Sequence, residues 1–93
     1  MKEIIRALEQ VSRSVKSDQE SVKPAEAVKA LRERIREARA TAGEEIRTML
    51  AKLDEELSVW QSKMEVILKE PVGRQGMARH AAHWRERINA LNC

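Results

Sequence analysis

Apolar residues recur at alternating steps of three and four residues along most of this 93-residue chain. This spacing places them in one narrow line along a helix, the line that helices use to pack on each other. We call this line the apolar seam. In the middle of the chain it consists of Val28, Leu31, Ile35, Ala38, Ala42, Ile46, Leu50, Leu53, Leu57, Trp60, Met64 and Ile67. The seam predicts an all-α fold, a helical bundle with coiled-coil-like packing.

The composition fits a small helical core. The sequence contains no Phe, no Tyr and two Trp, so aliphatic side chains and Met must fill the interior. A chain of this length buries only about 60–65% of its unfolded surface, so each apolar helix face needs a partner. We therefore expect one all-helical domain over residues 1–93.

Prolines and glycines divide the chain into helices. A first helix is predicted over residues 2–17 by the spacing of Ile4, Leu8, Val11 and Val15. A hinge over 18–24 should follow, because a proline disfavours helix in the preceding residue and suits the first position of a new helix. The seam then predicts one long helix over 24–69. In the alternative, this helix is bent or broken near 41–44, where Gly43 interrupts it and the apolar steps are all fours.

The last part of the chain should form an antiparallel helical hairpin with the long helix. A proline and two glycines predict a loop over 70–76, and the resumed seam predicts a helix over 77–89. Oppositely charged segments on either side of the loop also favour folding back. With the loop centred near Gly73, Trp84 should lie close to Met64 and Trp60. The predicted hairpin core is Trp60, Met64, Trp84 and Ile88.

A continuous helix over 24–69 would be about 69 Å long and would leave part of its seam uncovered beyond the hairpin. Exposed seam residues need a cover, and a second copy of the chain is the simplest one. We therefore expect a homodimer. Its predicted interface consists of Val28, Leu31, Ile35, Ala38 and Ala42.

Binding to DNA or RNA is the alternative function. Arg32, Arg36 and Arg39 lie on one face of the predicted helix and could contact phosphates. However, acidic residues alternate with these arginines, and no aromatic residue accompanies them for base stacking. A basic nucleic-acid-binding accessory protein is therefore the second interpretation.

Residues that could perform chemistry are sparse. His80 and His83 are the two histidines and could supply half of a metal site, but no second pair of ligands accompanies them. Since Cys93 is the single cysteine, no internal disulfide can form. The early charges predict no signal peptide, and no stretch suits a membrane span, so we expect a cytoplasmic protein. The sequence predicts no enzyme activity and no cofactor. It favours a helical protein-interaction module acting as an adaptor, assembly factor or small regulator.

Overall fold

The computed structural model describes residues 2–17 and 22–91, which form four helices. These are α1 (Lys2–Lys16), α2 (Pro24–Thr41), α3 (Glu44–Lys69) and α4 (Pro71–Leu91). Each helix packs on the next one along the chain, and α4 returns to pack extensively on α1. The result is an up-and-down helical bundle measuring 38 × 24 × 21 Å. The predicted all-α fold is confirmed.

The core is built from one stripe of each helix. Its side chains recur every three or four residues, so they fall on the inward side of each helix. The buried apolar residues are Ile4, Leu8, Val11, Val15, Ala27, Val28, Leu31, Ile35, Leu50, Leu53, Leu57, Met64, Met77, Ala78, Ala81, Trp84 and Ile88. Most of the predicted seam therefore lies inside the bundle formed by one chain.

The long helix expected over 24–69 is broken, so the alternative near 41–44 is the one observed. Helix α2 ends at Thr41, and Ala42 and Gly43 have extended backbones with ψ angles of 152° and 169°. The physical reason is burial: the turn lets α3 fold back, so that Leu31 and Leu50 share one core. One straight helix over the same residues would have left the apolar faces of α2 and α3 without each other as a cover.

The junction between α1 and α2 follows the prediction as far as it is described. Helix α1 ends at Lys16, one residue before the predicted end, and α2 begins at Pro24. Pro24 occupies the first turn, where its missing N–H costs no helical hydrogen bond. Residues 18–21 of the predicted hinge lie outside the described residues.

The predicted loop over 70–76 is wrong, because α4 begins at Pro71 and runs through both glycines. Glu70, with an extended backbone, is the single residue between α3 and α4. Gly73 and Gly76 have no positive φ angle, so neither one reverses the chain. The last helix is therefore Pro71–Leu91 rather than 77–89.

Arg74 ties three helix ends together beside this turn. From the first turns of α4, its Nε donates to the Leu68 carbonyl at 2.9 Å and its Nη1 to the Val15 carbonyl at 3.4 Å. Those carbonyls lie in the last turns of α3 and α1, where backbone oxygens lack helical partners. A cation is also favoured at the negative end of a helix dipole. Arg74 therefore fixes the start of α4 against both neighbours.

Candidate functional site

An open groove of about 310 Å³ lies between α3 and α4 near their turn. It spans two helical turns on each side. On α3 it runs from Trp60 to Ile67, and on α4 from Gly73 to His80. We call it the α3–α4 groove; its lining consists of Trp60, Ile67, Gly73, Gly76, Met77 and His80.

Two glycines shape this groove in different ways. A Cβ atom built on Gly73 would lie 2.2 Å from the Ile67 carbonyl oxygen, so the backbones of α3 and α4 touch there. A Cβ atom on Gly76 would meet nothing within 4 Å. Gly73 therefore closes the groove at the turn, whereas Gly76 leaves it open one helical turn further along.

A polar cluster borders the far end of the groove. The Glu56 carboxylate lies 2.7 Å from His80 Nε2, and it accepts a hydrogen bond of 2.5 Å from Trp84 Nε1. Trp84 is 2% exposed, so Glu56 satisfies a donor that burial has removed from water. The His80 ring also meets the Trp60 ring edge-on, with centroids 5.6 Å apart. Both sides of the groove are thus held in defined positions.

Exposed apolar side chains gather along the same two helices. In the part of the chain that the structure describes, the large apolar residues classed as exposed are Val59, Val66, Val72 and Leu91. Val66 and Val72 are 70% and 76% exposed, and each immediately precedes a residue of the groove lining. Val59 likewise precedes Trp60. All three valines therefore lie on the two helices that form the groove.

The residues predicted to form the dimer interface occupy two different environments. Val28, Leu31 and Ile35 are at most 1% exposed and belong to the core of the single chain. Ala38 and Ala42 are half-buried and line a second depression, of about 340 Å³, at the opposite end of the bundle. Covering the first three residues therefore requires no second copy.

The residues predicted to form the hairpin core lie on α3 and α4, which pair in a shifted register. Met64, Trp84 and Ile88 are buried, and Trp60 is half-buried. Trp60 faces His80, and Trp84 reaches Glu56, one turn earlier on α3 than predicted. The shift arises because α4 begins at Pro71 and not after a seven-residue loop.

The three arginines predicted to contact nucleic acid differ in their surroundings. Arg32 Nε donates to Asp54 at 2.9 Å, and this hydrogen bond raises the pKa of the guanidinium above its ordinary value. A second donor of Arg32 bonds to Gln61, so the side chain is held against α3. Arg36 is exposed, and Arg39 is half-buried. Nucleic-acid binding through these residues stays a prediction.

The histidines show no metal-site geometry. Among residues 2–17 and 22–91, no group of three His, Cys, Asp or Glu side chains could hold a metal ion. The rings of His80 and His83 lie 6.4 Å apart, and His80 is bonded to Glu56 instead. Within the same described residues, no helix combines the length and apolar character needed to cross a membrane.

Sequence reasoning did not identify Glu56 or the two glycines as parts of one site. In the sequence, Glu56 resembles the other acidic residues of a charged helix. Only its spacing of four residues from Trp60 indicates that the two side chains lie on the same face of that helix. Two glycines close to a proline predict a loop, which is the commonest setting for such residues. Comparisons with protein-family models, with curated proteins and with solved structures found no match for this chain.

Proposed function

We propose that this protein is a non-enzymatic interaction module that binds a helix of another protein in the α3–α4 groove. The observation that carries the proposal is the concentration of accessible apolar surface on α3 and α4. Half-buried Trp60 and Ile67 line the groove, and the same two helices carry three exposed valines, Val59, Val66 and Val72. Accessible apolar side chains in a groove are typical of protein interaction sites.

The shape of the groove favours a helix as the bound segment. Its walls are two antiparallel helices, and Gly76 offers no side chain that would hold an incoming backbone away. A helix that binds in this way presents apolar side chains three or four residues apart. The ring of Trp60 supplies the large, rigid contact that often dominates the binding energy of an interface.

A pair of substitutions at Gly76 tests the proposal. Gly76→Leu should fill the groove, whereas Gly76→Ala adds one methyl group and leaves most of the space open. A Cβ atom at this exposed position meets no atom within 4 Å, so we expect both variants to fold. The tagged chain and the two variants would be isolated from cells that produce the protein, and co-purifying proteins would be quantified by mass spectrometry.

The proposal expects a partner that is retained by Gly76→Ala and lost by Gly76→Leu. That partner should then bind the purified chain directly, with the same ranking of the two variants. If all three chains retain the same proteins in the same amounts, the groove does not bind the partner. Circular dichroism and thermal unfolding of each variant provide the control for folding.

A further inference from the structure

Positive charge is unevenly divided between the two halves of the bundle. Helices α1 and α4 together contain eight Lys and Arg against three Asp and Glu, whereas α2 and α3 together contain nine of each. Because α1 and α4 pack extensively on each other, this excess lies on one half of the molecule. Asp18 and Glu20 lie outside the described residues, and counting both with α1 still leaves +3 on this half, the net charge of the whole chain.

We infer that this half of the bundle binds a double-stranded nucleic acid through its phosphates. The contacts come from five exposed cations that we call the α1–α4 basic face: Lys2, Arg6, Arg13 and Lys16 on α1, and Arg79 on α4. In the described part of the chain, no ion pair involves any of the five. This surface is separate from the α3–α4 groove, whose lining residues come from α3 and α4.

The four cations of α1 share one side of that helix. With about 3.6 residues per turn, they fall within roughly 80° of each other around the helix axis, opposite to the buried stripe that contains Ile4 and Leu8. Along the axis they extend over about 21 Å. The acid of α1 within the same arc is Glu9, which is half-buried and ion-paired with Arg85 at 3.3 Å. The arc therefore presents a row of unpaired positive charge.

Acidic residues on the α2 side of α1 do not cancel this row. Exposed Glu3 is displaced from Arg6 by about 60° around α1, and it borders a depression together with Arg34 of α2. On α2, Glu37 is ion-paired with the same Arg34 at 3.5 Å. Helix α2 as a whole contains five bases and three acids, so it adds no net negative charge beside α1.

A depression of about 310 Å³ connects α1 and α4 at the end of α1. It is lined by two cations, one amide and two alanines: Lys16, Arg79, Gln75, Ala78 and Ala82. The C-terminal end of a helix disfavours anions, but Arg74 donates to the Val15 carbonyl there at 3.4 Å and offsets that effect. Exposed Glu86 lies seven residues from Arg79, about 10 Å along α4. A phosphate group would be bound here between the two cations.

The rest of this surface favours a duplex over other anionic partners. In the described part of the chain, the large apolar residues classed as exposed lie on α3 and α4, and α1 has none. A protein partner or a membrane surface would need apolar contacts of that kind. Single strands bind by stacking on aromatic rings, but Trp84 is buried and Trp60 borders the α3–α4 groove. Duplex phosphates require only suitably placed cations.

Fluorescence anisotropy with the full chain provides the test. The labelled probes are a DNA duplex and an RNA duplex of about 20 base pairs, each in two unrelated sequences, with a single strand and a polyglutamate for comparison. One triple variant changes the basic face: Arg13→Gln, Lys16→Gln and Arg79→Gln. The control variant removes the same charge from exposed positions of α2 and α3: Lys29→Gln, Arg36→Gln and Lys52→Gln.

We expect at least one duplex to bind more tightly than the single strand and the polyglutamate, with equal affinity for its two sequences. If five cations contact DNA phosphates, a four-fold rise in salt should weaken binding about 500-fold. The basic-face variant keeps two of these contacts, so its loss over the same salt range should be about 12-fold. It should also bind about ten-fold or more weakly at low salt, whereas the control variant should resemble the unsubstituted chain.

The remaining outcomes overturn the inference. Equal losses in the two triple variants would show that net charge, and not the α1–α4 basic face, determines binding. Failure of both duplexes to bind at low salt, or tighter binding of the single strand or of polyglutamate, would refute the duplex as partner. Gly76→Leu should bind the duplex like the unsubstituted chain, so this test and that of the groove fail independently. Circular dichroism checks that each variant folds.

Discussion

Gly73 and Gly76 lie three residues apart on α4, and the structure predicts opposite effects for the same substitution at the two positions. Both glycines have ordinary helical backbones, so alanine is conformationally acceptable at either one. What differs is the space around the added methyl group. We therefore expect Gly73→Ala to destabilise the protein and Gly76→Ala to stabilise it.

At Gly73, the added Cβ atom would lie 2.2 Å from the Ile67 carbonyl oxygen and 3.0 Å from its carbon. Both atoms belong to the backbone, so a side-chain rotation cannot relieve the contact. Helices α3 and α4 would have to separate by roughly 1 Å, a strain comparable to core overpacking, which costs about 1–3 kcal/mol. The gain in helix propensity offsets about 0.5–1 kcal/mol of this cost. The net loss should be about 0.5–2 kcal/mol.

At Gly76, the added methyl group meets no atom within 4 Å. Only the propensity effect remains, since alanine restricts the unfolded chain more than glycine does. The expected gain is about 0.5–1 kcal/mol. Because this gain is common to both variants, they should differ in stability by the strain at Gly73, about 1–3 kcal/mol, although they have the same composition.

Urea and thermal unfolding, followed by far-ultraviolet circular dichroism, measure this difference. For a domain of this size, 1 kcal/mol shifts Tm by about 4–8 °C, so the two melting curves should be well separated. The midpoints should move while the urea m-value stays constant. If Gly73→Ala is as stable as the unsubstituted chain, the close approach of α3 and α4 at Ile67 is refuted.

Three further substitutions test other parts of the bundle. Arg74→Met removes the donors to Leu68 and Val15 while keeping an aliphatic side chain, and should cost about 1–2 kcal/mol in urea unfolding. An unchanged midpoint would contradict the capping role. Leu31→Asp should unfold the chain, because a fully buried carboxylate without a partner costs several kcal/mol. A variant that stays helical but changes from dimer to monomer in light scattering would instead support the interface expected from the sequence. Glu56→Leu should cost about 1–3 kcal/mol by leaving the Trp84 indole N–H without an acceptor, and Glu56→Gln should cost less. Equal effects in urea unfolding would argue against that hydrogen bond.

The fold class and the core residues could be predicted because they depend on periodicity alone. Leu31, Leu53 and Ile88 lie at seam positions, and the structure buries each of them. A repeat of three and four residues has one buried side whatever the neighbouring helix is. The seam therefore predicts which residues face inward without specifying what they face.

The turns could not be predicted with the same success, because they depend on contacts that are distant in sequence. Gly43 was compatible with a continuous helix or with a break, since one glycine costs only about 1 kcal/mol in a helix. The break is favoured by burial of α2 against α3, which no local pattern reports. Likewise, the local sequence does not show that Gly73 belongs to α4. Its role there is to leave room for the backbone of Ile67 on α3, where a Cβ atom would clash.

Each error in a turn also displaced the predicted interaction surface. If α2 and α3 formed one continuous helix, Val28 and Leu31 would be exposed, and a second chain would be needed to cover them. With the turn in place, the accessible apolar residues lie instead on α3 and α4, where Trp60 lines the groove and Val66 and Val72 are exposed. The position of the interaction surface therefore depends strongly on where the chain turns, whereas the set of buried residues depends on the turns much less.

The turn and the groove have a common physical origin in the first three turns of α4. Gly73 lets the two helices touch immediately after Pro71, so α4 starts without a loop. Gly76 then leaves a gap between the same helices, next to Trp60 and Met77. A side chain at Gly76 should favour the helical backbone of α4 and, when it is as large as leucine, fill the groove, whereas a side chain at Gly73 should disturb the helix junction. Stability and partner binding can therefore be separated experimentally at Gly76, and binding should decline with side-chain size there even as the free energy of unfolding rises.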